Sequence, residues 1–457
     1  MAIATTNPTT GEVLKTFDPL TEPQLADALA KAEAGFQALR RSPYRQRAGW
    51  LEAAAGILEA EADGIARVMT TEMGKTLAAA RAEVAKCALA CRYFAAHGER
   101  FLADEPADPA EVGASNAYAR WEPLGPVLAV MPWNFPLWQA MRFAAPALMA
   151  GNPGLLKHAS NVPQTALFMA ELFDRAGFPA GAFQTLLIGS GQVERVLTDP
   201  VVRAATLTGS EAAGRAVAAI AGRELKKTVL ELGGSDPFVV MPAADLDRAA
   251  AAAATSRCLN NGQSCISAKR FLVHTDVYEQ FAEAFVARMS GLTVGDPLAG
   301  GTDVGPLATE EGRAEVDEQV RDAVDRGATV LCGGQVPDRP GWWYPPTVVT
   351  DLTPQMRMWS EEVFGPVAGL YRISSYEEAV ELANATSFGL GANAWTRDPA
   401  EQDRFVADLA AGAVFVNGMV TSYPSLPFGG IKASGYGREL SAHGIREFCN
   451  LKTVWVG

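Results

Sequence analysis

Apolar residues in the first hundred positions recur at helical spacing. Leu25, Leu29, Ala32, Phe36 and Leu39 alternate steps of four and three, which lays one stripe along a helix; Leu51, Ala54, Leu58, Ile65 and Met69 loosely continue it. This part is predicted to be mostly helical. From residue 127 the pattern changes to short apolar runs at 127–131, 154–157, 183–188, 204–208 and 226–232, with amphipathic stretches such as 163–176 between several of them. A second series follows, with strands at 237–241, 270–274, 328–332, 367–372, 392–396 and 413–417. These alternate with helices near 245–258, 276–290, 310–326, 375–386 and 399–411. Alternation of this kind predicts an α/β fold built from two doubly wound, Rossmann-like domains, with a ligand cleft between them. Segments 118–123 and 452–456 read as strands that neither unit needs. The alanine run 249–254 is strong helix former.

Composition narrows the classes. A chain of 457 residues with 48% hydrophobic content buries substantial cores and spans two or more domains. The formal net charge of −13 argues against a nucleic-acid or anionic-membrane partner. Residues 1–12 contain no basic residue and no apolar core, so no signal peptide is expected. The uncharged run 125–141 is interrupted by three prolines, Asn134 and Gln139, which suits a packed loop rather than a membrane span. The six cysteines are scattered without a disulfide framework, and a cytoplasmic location is expected. Cys87 and Cys91 lie four apart on a helical stretch, but no histidine or second cysteine pair supports a metal, and no metal site is predicted.

Five short stretches carry chemistry. Asn260-Asn261-Gly262-Gln263-Ser264-Cys265 frames a cysteine with Gly and small polar residues, the setting of a nucleophile. Leu230-Glu231-Leu232-Gly233-Gly234 places a carboxylate at a Gly-terminated strand end, where it is a candidate base. Pro132-Trp133-Asn134-Phe135-Pro136 ends an apolar strand in a rigid turn and fixes the Asn134 amide, a candidate oxyanion donor. Glu362-Val363-Phe364-Gly365-Pro366 holds an acid and an aromatic ring in a tight turn, suited to a ribose and a flat ring. Thr208-Gly209-Ser210 joins a strand to a helix, where backbone N–H groups and the Ser210 hydroxyl meet a pyrophosphate.

Together with Pro-Phe-Gly-Gly at 427–430, these motifs occur in the order and approximate spacing of the NAD(P)-dependent aldehyde dehydrogenase superfamily, which the chain resembles over nearly its full length. Leu-Lys-His-Ala at 156–159, Ser-Asp-Pro-Phe at 235–238 and the closing Glu-Phe-Cys-Asn-Leu-Lys-Thr-Val-Trp most resemble bacterial succinate semialdehyde dehydrogenases. The resemblance implies an NAD(P)-binding domain at 1–110 and 127–232 and a catalytic domain at 233–427. It also implies an oligomerisation segment at 111–126 and 428–457, whose hairpin pairs subunits as a homodimer or homotetramer. Cys265 is then the nucleophile that forms a thiohemiacetal and a thioester, Asn134 and the Cys265 N–H hold the oxyanion, and Glu231 activates the hydrolytic water.

The cofactor set implied by the resemblance is Trp133, Lys157, Ser160, Gly209, Ser210, Leu232, Glu362 and Phe364. NAD-preferring relatives commonly carry Glu three residues after the lysine at Lys157, where this chain has Ser160, so both NAD and NADP stay open. For the aldehyde, Arg142 stands eight residues after Asn134 and is the expected ligand of a distal carboxylate, with Trp138 in the tunnel wall and a group such as Ser422, Tyr423 or Ser425 beside it. Succinate semialdehyde-type relatives often have a second Arg six residues before the cysteine; here that residue is Leu259, with Arg257 two places earlier. The alternatives are a broad-specificity aliphatic aldehyde dehydrogenase and a non-redox cysteine acyl hydrolase; the latter leaves the 208–214 motif unused.

Overall fold

Two largely parallel sheets carry the chain, seen in a computed structural model that describes residues 2–457. The first is six-stranded, in the order Gly435–Tyr436, Lys227–Glu231, Ala204–Thr208, Val127–Met131, Gly154–His158, Phe183–Thr185. Its central strands are buried on both faces, so they read as continuous apolar runs rather than alternating ones. The chain starts at Val127–Met131, adds two strands on one side, then crosses to Ala204–Thr208 on the other. That reversal opens a crevice at the carboxyl ends of strands 127–131 and 204–208, where the 132–136 turn and Gly209-Ser210 emerge.

The second sheet runs Thr329–Cys332, Thr347–Thr350, Val367–Ile373, Ala268–His274, Asp236–Val240, Gly391–Trp395, Ala413–Val416. Only Leu232–Ser235 separate the end of Lys227–Glu231 from the start of Asp236–Val240, so the carboxyl edge of the first sheet leads directly to the amino edge of the second. Ala268–His274 pairs with Asp236–Val240, which sets Cys265, three residues before it, at the same junction as Glu231.

Helices Glu22–Leu39, Tyr44–Ala60, Ala62–Met73 and Leu77–Phe101 wrap the first sheet. A polar knot ties the last of them to the crevice. Glu83 accepts the backbone N–H groups of Leu137 (2.9 Å) and Trp138 (2.8 Å), satisfying two donors at the start of helix Trp138–Ala150. The same carboxylate forms a buried ion pair with Lys75, whose ammonium lies 4.3 Å from the Phe135 ring centroid. Glu72 acts likewise for helix Pro163–Arg175: it accepts from Gln164 N (2.8 Å), Thr165 N (3.0 Å) and Thr165 Oγ1 (2.7 Å), and also from Thr5 Oγ1 (2.9 Å).

The α/β architecture follows the sequence reading, with informative differences. A hairpin, Ile3–Thr6 with Val13–Phe17, precedes the first helix; its second strand is largely exposed and so lacks a buried apolar face. Thr347–Thr350 is an additional strand, parallel to Val367–Ile373 and antiparallel to Thr329–Cys332. The extension is a three-stranded sheet, Cys449–Val456, Asn116–Pro123 and Glu105–Pro106. Residues 428–448 do not belong to it. Gly435–Tyr436 pairs with Leu230 and Glu231 as an edge of the first sheet, and helix Ser441–Arg446 packs on helix Trp138–Ala150. Gly435 has φ +111°, and a Cβ there would collide with the Leu230 carbonyl, so this closure requires glycine.

Glu83→Ala strands a buried Lys75 and leaves two helix-start N–H groups unpaired. A loss of about 3–5 kcal/mol is expected in urea unfolding, the usual cost of breaking a buried pair. A loss below about 1 kcal/mol, the size of an exposed pair, would show that the knot carries little.

Candidate active site

The loop before Cys265 is held in an unusual backbone. Asn260, Asn261 and Gly262 have φ of +56°, +58° and +76°, three successive left-handed residues. Side chains offset that strain. Asn261 Nδ2 donates to Gly74 O (2.8 Å) and Pro306 O (2.9 Å), and its Oδ1 accepts from Gly305 N (2.8 Å). Asn260 Nδ2 donates to Asn134 O (2.7 Å), so the nucleophile loop and the Pro-Trp-Asn turn are bonded directly. Arg257 is fully buried and donates to Ala268 O (3.1 Å) and Gly262 O, which makes it a shaper of the loop. A Cβ at Gly262 would run into the Gly365-Pro366 backbone, so the cysteine and glutamate motifs pack without a gap.

Around Cys265 lies a cavity of about 240 Å³. Asn134, Cys265, Glu362 and Phe364 line it, as do Trp133, Gly209, Ser210 and Leu232. Eight of the residues expected from sequence therefore share one cavity. A wider hollow of about 470 Å³, beside Thr350, Trp359 and Arg372, contains no nucleophile. Trp133 and Phe364 meet edge to face, with centroids 5.7 Å apart. Asn134 donates through Nδ2 to Gln263 O (3.1 Å), which leaves its second amide hydrogen for the cavity. The Pro136 carbonyl accepts from His158 Nε2 (2.7 Å), while His158 Nδ1 accepts from Ala159 N (2.9 Å). Burial pushes His158 down to about 4, so it props the turn as a neutral ring.

Burial is also the first influence on the two groups expected to react, Cys265 and Glu231. It pushes the Cys265 thiol up to about 12, against the opposing pull of Arg142 and Lys269. Glu231 is raised well above the usual carboxylate range by burial and then by the charge of Glu439, with Arg142 and Arg438 opposing. Neither Glu231 oxygen has a hydrogen-bond partner, and Oε1 lies 2.8 Å from where a Cβ on Gly429 would sit. Glu231 therefore rests on the 428–439 side, outside the cavity that holds Cys265.

Sequence reading missed several supporting residues. Lys269 Nζ donates to Ser264 O (3.0 Å) and Cys265 O (2.7 Å) and pairs with Glu362 Oε1 (3.1 Å), joining nucleophile and ribose motifs. A lysine inside the apolar strand 268–274 was the available signal, since a buried ammonium needs partners. Gln139 also lines the cavity, with Oε1 unbonded. Glu439 had no sequence signal, although Leu440 and Ser441 beside it hold φ of +63° and +52°.

Two expected substrate ligands differ in their settings. Arg142 is only 2% exposed; its guanidinium pairs with buried Glu439, reaches Thr208 Oγ1 (3.4 Å) and lies 4.4 Å from the Phe428 ring centroid. It is a committed cation, held by a carboxylate 297 residues later in the chain (439 − 142). Ser425 is exposed, and Ser422 takes the interior place, accepting from Trp138 Nε1 at 3.1 Å.

Lys157 and Ser160 sit at the next strand end, Lys157 half-buried and lowered by burial alone. No carboxylate pairs with Lys157 among the described residues. The hollow beside Ser160, lined by Ile3, His158 and Leu186 among others, has no acid in its wall. Ser210 caps helix Glu211–Arg223 by accepting from Ala213 N (3.3 Å). A Cβ at Gly209 would meet nothing nearer than Leu207 at 3.6 Å, so the glycine leaves an open cradle at that helix start. A Cβ on Gly233 would stand 2.7 Å from Glu362 Oε2, so a side chain there would displace that carboxylate. Pyrophosphate at a helix N-terminus, ribose at Glu362 and a flat ring near Phe364 fit these donors and surfaces.

Comparison with known proteins gives a consistent picture. The sequence pattern of the aldehyde dehydrogenase family matches residues 1–454. Succinate-semialdehyde dehydrogenase [NADP(+)] 1 of Mycobacterium tuberculosis is 64% identical over 456 residues, covering 100% of both chains. A succinate-semialdehyde dehydrogenase [NADP(+)] of Mycobacterium leprae is 63% identical, again over 100% of both. A crystal structure of succinic semialdehyde dehydrogenase from Streptococcus pyogenes, in complex with NADP+ as the cofactor, superposes with a TM-score of 0.96 at 39% identity, covering 100% of each chain.

Replacing Glu439 with Gln removes a negative charge beside Glu231 and leaves Arg142 to face it. The pKa of Glu231 falls, so the acid limb of the pH profile of kcat moves to lower pH. A limb that stays in place or moves upward would refute this electrostatic account.

Proposed function

Because the chain belongs to the aldehyde dehydrogenase family and oxidises aldehydes to carboxylic acids, we propose that its substrate is succinate semialdehyde and that NADP is its preferred oxidant, with NAD the poorer one. Full-length identity of 64% to an NADP-dependent enzyme of that activity carries the reading. Ser160 and the unpaired Lys157 support the cofactor part. A serine there leaves room for a 2′-phosphate, and an ammonium free of any carboxylate attracts one.

Trp133, Lys157, Ser160, Gly209, Ser210, Leu232, Glu362 and Phe364 would hold the nucleotide. When bound, its nicotinamide supplies the hydride acceptor. The residues of the chain supply the rest. Cys265 adds to the aldehyde carbon, and positive charge from Arg142 and Lys269 favours the thiolate against burial. The oxyanion meets the free hydrogen of the Asn134 amide and the Cys265 backbone N–H. Lys269 fixes the carbonyls of Ser264 and Cys265, so the donors are set before substrate arrives. Glu231 then turns from Gly429 toward Cys265, takes a proton from water and directs it at the thioester. With no hydrogen bond to either oxygen, that turn breaks none. Its raised pKa brings the carboxylate toward the working range of a general base.

The exposed sheet of Cys449–Val456 and Asn116–Pro123, bearing exposed Leu451 and Trp455, supports assembly as a homodimer or homotetramer. No helix among the described residues is long and apolar enough to cross a membrane. A cytoplasmic setting accords with six unpaired cysteines.

Initial rates should show NADPH forming faster than NADH, and succinate semialdehyde outpacing butyraldehyde, which matches its chain length without the carboxylate. Equal rates for the two aldehydes would remove the semialdehyde assignment, and faster NADH formation would remove the NADP preference. Ser160→Glu should shift the ratio toward NADH. Asn134→Ala should lower kcat by about 10²–10³ while the melting temperature stays near wild type, and Cys265→Ala should abolish turnover. Normal kcat in Asn134→Ala would show that the amide does not hold the oxyanion.

A further inference from the structure

Gln139 stands in the first turn of helix Trp138–Ala150, and with Asn134 it lines the cavity of about 240 Å³ that contains Cys265. Its backbone is fixed. The Gln139 N–H donates to Phe135 O (2.9 Å), while Glu83 holds the N–H groups of Leu137 and Trp138 just before it. Its side chain is not so served. Gln139 is 2% exposed, and its Oε1 is buried without a hydrogen-bond partner. Asn134, 3% exposed, has its Oδ1 in the same condition. A buried acceptor left without a donor is costly, so two of them on one cavity wall call for a ligand that donates.

Other polar atoms of the wall are already engaged. Thr208 Oγ1 accepts from Arg142 (3.4 Å), Ser210 Oγ accepts from Ala213 N (3.3 Å), and Glu362 Oε1 pairs with Lys269 (3.1 Å). An aldehyde and a carboxylate tail bring acceptors and no donor, so neither satisfies Gln139 Oε1 or Asn134 Oδ1. Water and the carboxamide of a nicotinamide each bring two donor hydrogens. Chain geometry favours water. Gln139 follows directly on the turn that carries the proposed oxyanion donor, at the carbonyl end of the cavity, whereas the flat-ring surface at Phe364 comes from a separate loop. Leu232 and Gly233, which continue the strand of Glu231, also line this cavity, so the base and Gln139 border the same space.

We propose that Gln139 holds the hydrolytic water of the second half-reaction, an assignment that rests on the thioester route given above. One O–H of the water donates to Gln139 Oε1 and stays there. The other turns from Asn134 Oδ1 to the arriving Glu231 carboxylate, which removes that proton. The water oxygen then bonds to the thioester carbon, the carbon–sulfur bond breaks, and the Cys265 thiolate departs from the carboxylic acid. No redox change accompanies this step, because the hydride has already left. Gln139 remains neutral and gives up no proton; it aims a lone pair of the water at the carbon, on a backbone set before substrate arrives.

The test is a single turnover of the full-length enzyme with NADP and less than one equivalent of succinate semialdehyde, in wild type, Gln139→Met and Glu231→Gln. NADPH absorbance reports formation of the thioester, and the mass of acid-quenched protein reports its decay on Cys265. Met keeps the length of the side chain without its acceptor oxygen, and Gln139→Leu reads the same way should the Met variant not fold. In Gln139→Met the NADPH phase should match wild type within about 2-fold, while the thioester should decay about 10- to 100-fold more slowly, the scale of a misplaced reacting atom. Decay at the wild-type rate would overturn the proposal. So would a slower NADPH phase or a raised KM for NADP with normal decay, which would assign Gln139 to the nicotinamide carboxamide instead. Glu231→Gln should retain the thioester. If it does and Gln139→Met does not, the role of Gln139 falls alone; if no thioester forms on Cys265 in any of the proteins, the thioester route falls with it.

Discussion

One buried carboxylate, Glu83, joins the helical layer to the crevice. It compensates a fully buried ammonium and caps the start of the helix that begins where the Pro-Trp-Asn turn ends. Burying either charge alone costs several kcal/mol, so Lys75, Glu83 and the helix start hold one another in a single arrangement. That arrangement carries Trp138 on one side and Asn134 on the other. The placement of the Asn134 turn and of the helix that follows it therefore depends on the same few bonds.

The site beyond that knot is an economy of buried charge. Arg142, Glu439 and Glu231 are each almost fully buried and lie close enough to influence one another. The Arg142–Glu439 pair cancels most of its own charge, and what remains raises the base while lowering the thiol. Lys269 performs a parallel service with Glu362. Each cation thus serves two clients, a carboxylate and the nucleophile, and the low dielectric of the interior makes both interactions strong.

Residues whose roles depend on local chain geometry were legible in the sequence. Cys265, Asn134 and Gly209-Ser210 sit beside Gly, Pro or Asn at strand ends, and those neighbours signal the sharp turns that expose them. Buried parallel strands were equally legible as apolar runs, with boundaries off by a residue or three, as at 183–188 against Phe183–Thr185. Residues whose roles depend on distant partners were not. Arg142 reads as a free cation until Glu439 is folded against it, and residues 428–448 read as part of the extension until Gly435–Tyr436 is seen to pair with Lys227–Glu231. The exposed strand Val13–Phe17 lacked the buried face on which periodicity depends.

That late strand has a consequence for the order in which the protein is made. The partner strand of Gly435–Tyr436 ends at Glu231, so 204 residues (435 − 231) must be synthesised before the edge of the first sheet is covered. At about 5–20 residues per second the ribosome takes roughly 10–40 s over that interval. Throughout it, the nascent cofactor-binding half presents an unpaired strand next to its future base, the kind of edge on which other chains assemble. Closure of the crevice wall and protection of the nascent chain thus wait on the same late strand.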